Sequence, residues 1–269
     1  VPDITNNALN IALPESLSAE RQGNVAIVKL TRAEKRNALN DTAVLGLETF
    51  FTSLPDDIAA AVIYGAGDHF SAGLDLSELQ ERDIRQGISH SSLWHRVFDK
   101  IQFGKVPVVA VLHGAVVGGG LELAAACHIR VAERSTYYGL PEGSRGIYVG
   151  GGGSVRIPRL IGVARMMDMM LTGRTYSAED GQAMGLSTYL TEPGDGYAKG
   201  LALAQRIAGN TRLTNFAITH VLPRIAEVDP SSGYAVESLI SSIAQADSEA
   251  KDRLSAFLEG RANKVTRPD

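Results

Sequence analysis

The strongest constraint on this chain is where its glycines fall. A compact apolar run, Pro107-Val108-Val109-Ala110-Val111-Leu112, leads into His113-Gly114-Ala115-Val116-Val117-Gly118-Gly119-Gly120, which opens directly into Leu121-Glu122-Leu123-Ala124-Ala125-Ala126-Cys127. A second cluster, Gly150–Gly153, precedes Ser154-Val155-Arg156. A strand that turns into a helix through glycine brings bare backbone close to something else. A helix N-terminus also offers unpaired N–H groups and a partial positive charge. The first cluster therefore reads as a site where a ligand oxygen can reach backbone amides, an oxyanion hole. The competing reading is tight helix–strand packing with no ligand. Neither cluster has the G-x-G-x-x-G spacing of a dinucleotide site or the Gly-Lys-Ser/Thr ending of a phosphate loop. Gly152-Gly153-Ser154-Val155-Arg156 lacks the final glycine of a hydrolase nucleophile turn.

Around these clusters the pattern is α/β. Val25–Leu30, Ala60–Tyr64, Pro107–Leu112 and His128–Ala132 read as strands. A helix capped by Asp41 or Thr42 is expected, and another over Leu93–Phe103, with 77–92 read as helix or mobile loop. From Tyr197 onward the pattern is helical only, so the expected division is an α/β core over 1–195 and a helical region over 196–269. Hydrophobic residues make up 44% of 269 residues, enough to bury a core, and the net charge of −4 lacks the basic footprint of a nucleic-acid binder. The single cysteine, Cys127, excludes a disulfide framework. No apolar run approaches the ~18 residues of a membrane span. Val1–Glu20 lacks a signal-peptide pattern, so a cytoplasmic location and no membrane partner are expected.

Two carboxylates stand out. Glu122 falls in the first turn of the glycine-opened helix, where the dipole favours its charged form. Glu142 follows Tyr137, Tyr138, Leu140 and Pro141, an apolar setting that raises a carboxyl pKa. Two glutamates in contrasting environments can serve as base and acid. Taken singly, each also reads as an ordinary charge, on a helix end or a loop. His90 and His95 have no acidic partner at helical spacing, His113 reads as structural, and Trp94 with Phe98 reads as core. Arg32, Lys35 and Arg36 form a basic loop that can hold a phosphate.

The runs Ala33–Asn40, Phe70–Leu76, His113–Ala124 and Leu140–Gly150, with Leu171-Thr172-Gly173, Ala178–Gly181 and Gly185-Leu186, resemble the crotonase (enoyl-CoA hydratase/isomerase) superfamily over about residues 20–262. The resemblance implies a spiral of ββα units followed by a C-terminal helical trimerisation region, a homotrimer or hexamer, and an acyl-CoA thioester substrate. It places the oxyanion hole at the amides of Leu74 and Gly119, the catalytic pair at Glu122 and Glu142, and CoA or substrate contacts at Lys35, Ala72, Leu76, Gly118, Pro141 and Gly150. The activity it implies is hydration of a 2-enoyl-CoA, with no metal or redox cofactor. Alternatives are a hydratase-lyase on an aromatic CoA thioester, with a loop at 83–95 and Tyr234 shaping the acyl pocket, an isomerase, or a non-catalytic CoA-binding protein. His128, Leu140 and Arg145 depart from the common pattern and leave the acyl specificity open.

Overall fold

The computed structural model describes residues 9–78 and 82–261, and the chain divides into two units after Ala208. The first unit runs β1 (Leu17–Gln22), β2 (Val25–Leu30), α1 (Asp41–Thr52), β3 (Ala60–Gly65), α2 (Ile84–Gln102), β4 (Val108–Leu112), β5 (Ala115–Val117), α3 (Gly119–Ala126), β6 (Ile129–Glu133), β7 (Tyr137–Gly139), α4 (Gly153–Ile161), α5 (Val163–Thr172), β8 (Tyr176–Ser177), α6 (Ala178–Met184), β9 (Tyr189–Thr191) and α7 (Gly196–Ala208). One six-stranded sheet has the order β1-β2-β3-β4-β6-β9, parallel except for the β1–β2 hairpin. A smaller sheet, β5-β7-β8, takes the second strand of successive ββα turns.

The central strands read as continuous apolar runs because both faces are covered. Alternate residues of β2 go to opposite sides. Ala26, Val28 and Leu30 join a core with α1, α2 and α3, whereas Val25 and Ile27 join Ala204 and Ala208 of α7. That packing carries α7 into the first unit, beyond the composition change near residue 195. It is close: a Cβ on Gly200 would lie 2.4 Å from Val111 Cγ2.

Three local expectations change. The N-cap of α1 is Asn40, whose side chain accepts from the Ala43 N–H, and not Asp41 or Thr42. The segment 83–95 is not a loop: α2 begins at Ile84, capped by Asp83 in a reciprocal box with Gln86. The glycine run after β4 does not lead straight into a helix, because Ala115–Val117 first pairs with β7.

The second unit comprises α8 (Arg212–Phe216), a π turn (Ala217–Val221), α9 (Leu222–Ile225), α10 (Pro230–Ala246) and α11 (Ser248–Leu258). Asp229 and Pro230 start α10 as N-cap and first helical residue, while Gly233 lies inside it rather than breaking it. Leu239, Ile243, Leu254 and Phe257 are exposed on α10 and α11. No helix among the described residues is long and apolar enough to cross a membrane.

Candidate active site

Ala72, Leu74, Leu76, Gly118, Gly119, Glu122, Glu142 and Gly150 line one cavity. Lys35 lines an adjoining one that shares Ala72, Leu74, Leu76 and Arg145. Pro141 lines neither and serves as the residue that leads into Glu142. Tyr234 is exposed on α10 in the second unit.

The two amides come together for separate reasons. Leu74 bridges Leu39 in parallel register: Leu39 N–H donates to Gly73 O and Asp75 N–H donates to Leu39 O. Strand alternation turns the Leu74 N–H to the other side. Gly119 is the first residue of α3, so its N–H has no partner within the helix. A Cβ on Gly119 would stand 3.4 Å from Leu74 N, which places the two amide groups side by side.

Glu122 is fully enclosed at 3% exposure, although it lies in a helix. Its Oε1 accepts from Gly151 N–H at 2.8 Å and Gly153 N–H at 2.7 Å, the start of α4. The second glycine run therefore cradles an anion, and that anion is Glu122 itself. A Cβ on Gly153 would fall 2.8 Å from both Cγ and Oε1 of Glu122. Burial raises the Glu122 pKa, opposed by the amides of Gly153, Gly151 and Gly150 and by the nearby Arg156 charge. Arg156 is buried and bonds Gly151 O at 3.0 Å, Gln102 Oε1 at 2.6 Å and Asp99 Oδ1 at 2.6 Å, tying the glycine turn to α2.

Glu142 ends the segment after β7 and starts a 3₁₀ turn over Gly143–Arg145. Its Oε2 is buried and has no hydrogen-bond partner among the described residues. Its pKa is raised by burial and then by the charge of Glu122, with Arg145 acting the other way. Tyr138 and Leu140 are buried beneath it, while Ile147, Tyr148 and Val149 supply the apolar wall of the cavity. Gly118 is needed here twice over: its φ is +53°, and a Cβ would lie 2.9 Å from Glu142 Oε1.

Besides Arg156, sequence reasoning missed the site roles of Asp75, Trp94, Arg82 and His90. Asp75 is buried and accepts from Arg32 Nη2 (2.6 Å), Ser77 Oγ (2.6 Å) and Lys35 Nζ (3.4 Å). It thereby anchors the lysine of the adjoining cavity. Trp94 is both core and cavity wall, and its Nε1 donates to Asp41 Oδ1 at 3.1 Å. Arg82 and His90 line the same cavity. His113 is structural as expected, with Nε2 3.0 Å from Gly67 O and a pKa lowered by burial.

The model of the enoyl-CoA hydratase/isomerase family matches residues 20–267. The chain is 29% identical over 245 residues to the short-chain-enoyl-CoA hydratase of Clostridium acetobutylicum, covering 90% of this chain and 94% of that one. It is 30% identical over 254 residues to a probable enoyl-CoA hydratase of Mycobacterium bovis, covering 94% and 98%. A crystal structure of a provisionally assigned enoyl-CoA hydratase from Rhodopseudomonas palustris matches with TM-score 0.91 at 60% identity, covering 94% of this chain and 98% of that one. With its stepped ββα architecture and a family match over almost its whole length, the chain belongs to the enoyl-CoA hydratase/isomerase family.

Proposed function

We propose that the protein is an enoyl-CoA hydratase, adding water reversibly to a 2-enoyl-CoA thioester. The observation that carries this reading is the pairing of two buried carboxylates in one cavity, Glu122 held by amides and Glu142 with a free oxygen. The thioester oxygen sits against the amides of Leu74 and Gly119, which stabilise the enolate as charge develops; one such donor contributes ~3–4 kcal/mol in well-studied sites. Glu122, whose charged form is hydrogen-bonded, takes the proton of the attacking water. Glu142, buried and beside another carboxylate, holds a proton and delivers it to the α-carbon. The reaction needs no metal or redox cofactor, because the thioester already acidifies the α-carbon. Lys35 and its Asp75 anchor meet the nucleotide end of CoA. The exposed apolar residues of α10 and α11 support assembly as a homotrimer or hexamer.

The test is Glu122→Gln and Glu142→Gln, each assayed by loss of the conjugated absorbance of crotonyl-CoA. Each lowers kcat by about 10²-fold or more while butyryl-CoA affinity stays within a few-fold. Near wild-type hydration by both variants would reject the two-glutamate mechanism.

A further inference from the structure

The cavity has an end that the hydration chemistry does not use. The six-membered ring of Trp94 faces the reacting end: its atoms lie 3.0–3.4 Å from where a Cβ on Gly119 or Gly151 would stand. Its Nε1 points the other way, to Asp41 at the start of α1. Asp41 does not line the cavity, yet it gathers the groups that do. His90 Nε2 lies 2.9 Å from Asp41 Oδ1, at an angle unsuited to a hydrogen bond, and Arg82 Nη2 lies 3.7 Å from Oδ2. The wall beyond the indole therefore carries Arg82 and His90, both beside the Asp41 carboxylate that the indole N–H reaches from the other side.

These donors are in excess. A guanidinium carries five N–H donors, and a contact of 3.7 Å is an ion pair too long to be a hydrogen bond. Arg145 lies on the side of the cavity shared with Lys35, so Arg82 is the cation of this end. An alkyl tail laid here would strip water from its guanidinium and replace none of its hydrogen bonds. A carboxylate offers two oxygens in the geometry that a guanidinium fork accepts. A hydroxyl offers one and no charge. Leu76, Ile147 and Val149 furnish apolar surface for the methylenes in between.

We propose that this end of the cavity selects an acyl chain with a terminal carboxylate, so that the substrate is the CoA thioester of an unsaturated dicarboxylic acid, with Arg82 as its recognition residue. The proposal rests on the hydratase reading for the unsaturation but not for the carboxylate. It therefore separates from that reading experimentally.

The experiment is calorimetric binding of three saturated thioesters that cannot be hydrated: adipyl-CoA, 6-hydroxyhexanoyl-CoA and hexanoyl-CoA, identical except at the terminal group. The wild-type protein binds adipyl-CoA at least about 10-fold more tightly than hexanoyl-CoA, with the hydroxyl compound nearer to hexanoyl-CoA. Arg82→Met brings the adipyl-to-hexanoyl ratio down by about 10-fold, and Arg82→Lys keeps part of it. A wild-type ratio near one, a preference for the hydroxyl compound, or a ratio unchanged in a folded Arg82→Met protein would each overturn the proposal. Crotonyl-CoA hydration is measured on the same wild-type preparation. Hydration without a carboxylate preference removes the acyl assignment alone. A carboxylate preference in a protein that hydrates no enoyl-CoA keeps the recognition site and removes the hydratase reading.

Discussion

Gly153→Ala tests the electrostatic core of the site without touching a titratable group. Gly153 opens α4 and does not occupy the left-handed region, so alanine is acceptable to the backbone there. The methyl group is what matters: it would come 2.8 Å from both Cγ and Oε1 of Glu122. Carbon atoms sit best about 3.5–4.0 Å apart, so the carboxylate must move by roughly 1 Å. A displacement of that size at a reacting group lowers the rate by about 10²-fold. It also stretches the 2.7 Å bond from Gly153 N–H, a bond to a charged acceptor worth about 1.5–3 kcal/mol. Losing it raises the Glu122 pKa further, because the charged form then keeps one amide donor fewer. In the proposed mechanism Glu122 is the base in hydration and must be ionised, so the acid limb of kcat/KM moves to higher pH. The assay is crotonyl-CoA hydration from about pH 5 to pH 9, with thermal unfolding run alongside to confirm the fold. A folded Gly153→Ala protein with wild-type kcat and an unmoved acid limb would refute the argument that the glycine turn sets the position and charge of Glu122.

Arg156→Met should act through the same turn, because Gly151 O and Gln102 Oε1 lose their donor and Glu122 loses a nearby positive charge. The expected signature is a lower kcat and an acid limb shifted upward, with partial rescue by Arg156→Lys; a loss of stability with no change in the pH profile would make Arg156 structural only. Asp75 is held well below the usual carboxylate range, first by the Ser77 hydroxyl and also by Arg32, against the opposing effect of burial. A depressed folded pKa contributes stability above the unfolded value of about 3.9 that is lost as pH falls through the folded one. Asp75→Asn should therefore flatten the acid side of the stability curve in denaturant titrations and raise KM for CoA esters by releasing Lys35. Gly87 lies within α2 with open space around a would-be Cβ, so Gly87→Ala should stabilise the protein by ~0.5–1 kcal/mol in urea unfolding.

How far the fold could be read depended on whether an element carries its own environment in its residues. β3 and β4 are covered on both faces, and the apolar runs Ala60–Ile63 and Val108–Leu112 say so; β2 and β6 carry the same signal interrupted by Lys29 and Arg130. β1 is an edge strand of largely polar residues, Leu17–Gln22, and its reason to be extended lies in β2, to which it pairs from end to end. β5 is three residues long and exists because β7 and Ser71 supply its partners. The first turns of α2 expose Ile84 and Ile88 and show no clean apolar stripe. Their signal was elsewhere, in the Asp83–Gln86 spacing of a reciprocal cap.

The site divides on the same principle. A glycine run states that backbone must approach something closely, and both runs do so here, yet the run cannot say what approaches it. In the first run Gly118 and Gly119 line the cavity, where the Gly119 amide has no partner within α3, while Gly120 packs on the Ser71 backbone. In Gly150–Gly153 the anion comes from the chain itself, a glutamate 29 residues upstream of Gly151. A phosphate in a nest of amides and a buried carboxylate in the same nest demand identical glycines, so local spacing cannot separate them. The separation comes from Glu122, a buried charge between Leu121 and Leu123 that requires donors and finds them in the glycine turn leading into α4. Asp75, Arg156 and Arg82 were illegible for the matching reason. Each is an ordinary charged residue until the fold brings to it, respectively, the basic loop, the glycine turn or the far wall of the cavity.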